Sequence, residues 1–81
     1  MKYKLPELDL HGIYHIEVKP LVNKFLEDNL DNMPVLIITG NSDRMIKIVK
    51  KINYINYFEF AYNKKKKTIK NNRTKRLKNY K

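Results

Sequence analysis

The chain has 81 residues, a formal net charge of +10 and no cysteine, which leaves room for one small core and excludes a second domain, a deep substrate cleft, disulfides and thiolate metal sites. Its charge is segregated: residues 1–63 balance eight acids with eight Lys and Arg, whereas residues 64–81 hold ten Lys and Arg and no acid. A uniformly basic globule is therefore excluded in favour of a near-neutral body, 1–63, and a cationic tail, 64–81.

Along the chain, Leu5-Pro6-Glu7-Leu8-Asp9-Leu10 alternates apolar and polar, which predicts a strand with Leu8 and Leu10 inward and Asp9 and His11 sharing the other face. Gly12 breaks it. Val18, Leu21, Val22, Phe25, Leu26 and Leu30 then recur as one stripe of a helix. It starts near Ile16–Val18, where Pro20 suits a first turn whose amides lack partners anyway, and ends near Asp31-Asn32. Val35-Leu36-Ile37-Ile38 is a continuous apolar run of strand length, the pattern of a central parallel strand buried on both faces. Thr39-Gly40-Asn41-Ser42-Asp43 punctuates it, with Ser42 or Asn41 suited to cap a helix and Asp43 to complement its dipole. Met45, Ile46, Ile48, Val49 and Ile52 form the second helical stripe, closed by Asn53. From Ile55 to Tyr62 the alternation returns, with Phe58, Phe60 and Tyr62 on one face.

The expected fold is α/β, a small two-layer sandwich in the order β-α-β-α-β with a mostly parallel sheet and right-handed crossovers. Whether the helices share a face is open. The tail has Ile69 and Leu77 as its only aliphatics, too little apolar surface to offset ordering, so residues 64–81 are expected to be disordered. Whether residues 64–71 add an edge strand is also open. No apolar run approaches the ~20 residues of a membrane span, and no signal-peptide pattern is present. The expectation is a monomeric cytoplasmic protein that does not partner a membrane.

Leu8-Asp9-Leu10-His11-Gly12 at a strand-to-helix turn resembles the LDLHG signature of the Smr (small MutS-related) domain family. Ile37-Ile38-Thr39-Gly40-Asn41-Ser42 resembles the family's second, glycine-rich turn, and Tyr57-Phe58-Glu59-Phe60-Ala61 its third strand. The short length, with His15 three residues after Gly12, is similar to phage-type members. Thr39 stands where many members have histidine, Ser42 where they have a second glycine, and Lys64-Lys65-Lys66-Lys67 where a further turn and final strand are expected. The resemblance implies a fold similar to the C-terminal domain of a bacterial translation initiation factor. It also implies binding, and in some members cutting, of DNA or RNA, in some cases on ribosomes.

On the residues themselves, Asp9 and His11 are candidate catalytic groups, since a carboxylate beside an imidazole fixes its tautomer and raises its basicity. Gly12, Thr39, Gly40, Asn41 and Ser42 belong to turns whose free amides suit phosphate, with His15 and Arg44 close by in sequence. Lys64, Lys65, Lys66, Lys67, Lys70, Arg73, Lys75, Arg76 and Lys78 supply salt-dependent attraction to a phosphate backbone. The expected function is a nucleic-acid-binding protein, RNA ahead of DNA, acting as an endonuclease, that is, a phosphodiester hydrolase. Its alternatives are a non-catalytic nucleic-acid or ribosome-binding module and an adaptor for an acidic protein. No cofactor is expected beyond a divalent metal ion as an option.

Overall fold

The predicted elements of the body are all present with shifted ends: the first helix runs from His15 to Asp28, so Pro20 lies inside it and not in its first turn, and Ile55 closes the second helix instead of opening the third strand. The computed structural model describes residues 4–56 and 58–74. The elements are β1 (Glu7–Asp9), α1 (His15–Asp28) with a 3₁₀ turn at Leu30–Asn32, β2 (Val35–Ile38), α2 (Asp43–Ile55), β3 (Phe58–Asn63) and β4 (Thr68–Thr74). Helix α2 is capped by Ser42, whose side chain accepts the Met45 amide at 3.1 Å. This satisfies one of the donors a helix start leaves unpaired. The helix runs past Asn53, which is fully buried within it, and ends at Ile55.

The result is a two-layer α/β fold with a four-stranded mixed sheet in the order β1-β2-β4-β3. Strands β1 and β2 are parallel, with Asp9 opposite Ile38. Strand β4 is antiparallel to both neighbours, with Ile69 opposite Ile37 on one side and Tyr62 on the other. The core joins Val18, Val22 and Leu26 of α1 and Met45, Val49 and Ile52 of α2 to Leu10, Val35, Ile37, Phe58 and Ile69 from the sheet side. Both helices therefore cover one face. The opposite face is a shallow depression of ≈ 780 Å³ whose lining includes Leu36, Ile38, Ala61, Thr68 and Lys70.

Three expectations are corrected. The sheet is mixed rather than mostly parallel, because β4 inserts antiparallel between β2 and β3. Strand β2 is central but covered on one face only: Val35 and Ile37 are buried, while Leu36 and Ile38 are half-exposed on the open side. Third, residues 64–74 are not a disordered extension. Lys64–Lys67 form the turn of a β3–β4 hairpin, and residues 68–74 are an inner strand, neither tail nor edge. One buried apolar side chain, Ile69, and one buried amide, Asn71, anchor it to the helices. Asn71 Nδ2 donates to Oδ1 of Asn53 on α2, pairing two polar groups that water does not reach. The rest of the expected tail, 75–81, and Tyr57 lie outside the described residues. Among the described residues, no helix is long and apolar enough to cross a membrane.

Candidate nucleic-acid interface

The register brings the sequence motifs to one end of the sheet. Asp9 ends β1 opposite Ile38, the last residue of β2, while Ile38 faces Thr68, the first of β4, and Thr68 faces Asn63, the last of β3. The β1–α1 turn, the β2–α2 turn and the lysine hairpin thus stand side by side, together with the N-termini of both helices. This is the carboxyl end of the parallel pair, where open α/β sheets place ligands.

Leu10-His11-Gly12-Ile13 closes with a hydrogen bond from the Ile13 amide to the Leu10 carbonyl at 3.1 Å, and Gly12 has φ +78°. That is the pattern of a type II turn, which needs a residue tolerant of positive φ at its third position. Asp9 and His11 are both exposed here, and they do interact, but not as the sequence suggested. Asp9 Oδ1 accepts the backbone N–H of His11 at 2.9 Å, so the carboxylate stabilises the turn, and no hydrogen bond from it to the imidazole is present among the described contacts. His15, the first residue of α1, is half-buried at the same end.

In the second turn, Gly40 has φ +73° and Asn41, Ser42 and Arg44 are exposed. A side chain at Gly12 or Gly40 would meet nothing within 4 Å, so both turns present bare backbone to open space. Ser42 accepts the Met45 amide but still has its hydroxyl hydrogen to donate. Thr39 departs from the expectation. It is 4% exposed, its amide donates to the Lys67 carbonyl at 3.0 Å, and its hydroxyl donates to the same carbonyl at 3.1 Å. Its amide and its hydroxyl are both committed within the fold. They tie the second turn to the lysine hairpin.

That hairpin is ordered by specific bonds. Asn63 Oδ1 accepts the Lys66 amide at 3.0 Å, and Lys67 adopts φ +54°, a left-handed conformation that L side chains seldom take. Lys64, Lys65 and Lys66 are exposed around it. Together with Arg44, against Asp9 and Asp43 at the same end, they make it net positive. Lys70 lies farther along β4, opposite Leu36 and Ala61, and lines the open sheet depression with Lys64, Lys65 and Lys66. Arg73 lies on β4. Lys75, Arg76 and Lys78 are outside the described residues.

Neighbouring strands lie about 4.8 Å apart, so roughly 10–14 Å separates the end of β1 from the lysine hairpin. A nucleic-acid backbone crossing this end would meet Asp9 and His11 at one side, the Gly40 amides in the middle and the lysines at the other. Among the described residues, no group of three or more His, Asp or Glu is placed to hold a metal ion. A second groove, ≈ 320 Å³ between Leu26, Leu30, Ile52, Ile55 and Phe58, lies toward the far end of α2 and contains none of the candidate residues. The motifs read in the sequence, Asp9, His11 and Gly40, come to one sheet end, whereas spacing did not reveal that Thr39 and Asn63 hold the lysine hairpin in place through a long-range and a turn bond. Compared with known proteins, the chain matches no family model, no curated protein and no solved structure.

Proposed function

We propose that this is an Smr-like nucleic-acid-binding protein that takes a phosphodiester backbone across the carboxyl end of its sheet, RNA ahead of DNA, and cuts it as an endonuclease. One observation carries the binding half: the lysine hairpin is fixed beside the Gly40 turn by two bonds from Thr39 to the Lys67 carbonyl. Four successive lysines repel one another, and Lys67 bears the cost of positive φ that glycine would avoid, about 1–2 kcal/mol. A chain that places cations where neither charge nor conformation favours them is using stability for another purpose, and phosphate attraction is the one its chemistry fits.

For cleavage, His11 or Asp9 would take the proton from the attacking water as its oxygen bonds to phosphorus, while the Gly40–Ser42 turn and the lysines hold the phosphate oxygens. The scissile P–O bond breaks with its electron pair on the departing oxygen, which takes a proton from solvent or from the protonated base. Asp9 helps shape the turn that displays His11, since its carboxylate accepts the His11 amide. The same bond favours a second function, a non-catalytic RNA or ribosome-binding module, because it commits Asp9 to the backbone rather than to the imidazole.

Incubation of the purified chain with labelled single- and double-stranded RNA and DNA, with and without divalent metal, distinguishes the two. An endonuclease shortens at least one substrate, and Asp9→Asn and His11→Ala each slow cleavage by about 100-fold or more while binding persists. Asn at position 9 keeps an oxygen for the His11 amide, so the turn survives. Tight binding with every substrate left intact assigns the binding module.

A further inference from the structure

We propose that the carboxyl end takes single-stranded rather than duplex nucleic acid, with a base stacked on Tyr14. This rests on the nucleic-acid function proposed above and specifies its substrate class. Tyr14 follows the β1–α1 turn directly and occupies the N-cap position of α1, five residues from Asp9. It is 75% exposed, and its neighbour Ile16 is 86% exposed. Phe25, Phe58, Phe60 and Tyr62, by contrast, all pack in or against the core.

Tyr14 also departs from the local rule for its position. An N-cap favours Ser, Thr, Asp or Asn, whose side chains accept a free helix amide. Tyr14 makes no side-chain cap bond, so this aromatic ring neither packs nor caps. An apolar ring held out to water at the sheet end that also carries the lysine hairpin has the two components of a single-strand site. The ring offers a stacking surface to any base, and the cations attract the backbone. A duplex keeps its bases stacked on one another and out of reach of the ring, so only an unpaired strand uses both. The placement suits this division, because Tyr14 stands at the β1 side and Lys64, Lys65 and Lys66 at the β3–β4 side of the same end.

The test measures binding of the full-length protein to a labelled single-stranded oligonucleotide, its duplex, and the same strand carrying abasic sites. Tyr14→Ala should weaken single-strand binding by about 5- to 150-fold, the usual range for loss of one stacked base, and leave duplex and abasic-strand binding unchanged. Tyr14→Phe should bind as the parent does, since the ring and not the hydroxyl is used. Tyr54→Ala, at a position 80% exposed on the last turn of α2, should have no effect. Equal or tighter binding of duplex by the parent, an indifferent Tyr14→Ala, or equal losses on all three ligands would overturn the stacking. Lys64→Ala/Lys65→Ala/Lys66→Ala separates this from the reading beneath it. If that variant binds as tightly as the parent, the lysine hairpin has no part in binding and the reading beneath falls, whereas lost binding there with an indifferent Tyr14→Ala overturns the stacking alone.

Discussion

Ile69→Ala probes the inner position of β4 with the backbone left intact. Ile69 is fully buried between the helices and the sheet, and truncating such a side chain to alanine removes its transfer energy and leaves a cavity, about 2–5 kcal/mol together. At about 0.05–0.15 kcal/mol per residue, a chain of 81 residues has roughly 4–12 kcal/mol in all, so one substitution in the basic segment should consume a large share of the total. Truncation extends the argument. A chain ending at Asn63 loses the strand that joins β2 to β3 through both its ladders and should show no cooperative transition. A chain ending at Thr74 should keep one. Urea denaturation followed by circular dichroism measures all three. A loss below about 1 kcal/mol for Ile69→Ala, or a cooperative transition in the chain ending at Asn63, would refute the placement of β4.

Other substitutions address single interactions. Lys67→Gly should stabilise the fold by about 0.5–1 kcal/mol, since glycine takes the observed φ of +54° without strain, and thermal melting would show it as a higher midpoint. Ser42→Ala should cost about 0.5–2 kcal/mol by removing the acceptor of the Met45 amide, read from the same urea curves. Asn53→Leu alone should be destabilising by about 1–3 kcal/mol, because it removes the acceptor of the buried Asn71 Nδ2 and leaves both polar atoms of that amide without a partner. Adding Asn71→Val should recover much of that loss, and a double-mutant cycle measures the coupling.

The first five elements were legible in the sequence because their core faces are written in apolar side chains at the right period: alternation at Leu8 and Leu10 and again at Phe58, Phe60 and Tyr62, helical stripes from Val18 and from Met45, and the Val35–Ile38 run. β4 was not legible, for a physical reason. Only its helix-facing residues need be apolar, and of those Ile69 is the single aliphatic, while Asn71 is buried through a partner on α2 that sequence spacing does not reveal. The cations around it then read as solvated tail when several of them sit on the hairpin turn and the open face. The same limit applied to Thr39. Its place in the glycine turn suggested a free backbone amide, whereas both its amide and its hydroxyl are bonded to the Lys67 carbonyl. The proximity of Asp9 to His11 was visible, but the choice of amide over imidazole as Asp9's partner is set by turn geometry.

The most direct measurement of the central claim is the salt dependence of nucleic-acid binding for the parent and for Lys64→Ala/Lys65→Ala/Lys66→Ala. These side chains are exposed, so the fold should be unaffected by their loss, and circular dichroism checks that it is. Each phosphate contact contributes about 0.7–0.9 to the slope of log affinity against log salt. If the hairpin carries the backbone contacts, the variant's slope should be shallower by roughly 2 to 3, with weaker binding at low salt. A folded variant whose slope and affinity match the parent's would contradict the claim and leave the lysine hairpin without a part in binding.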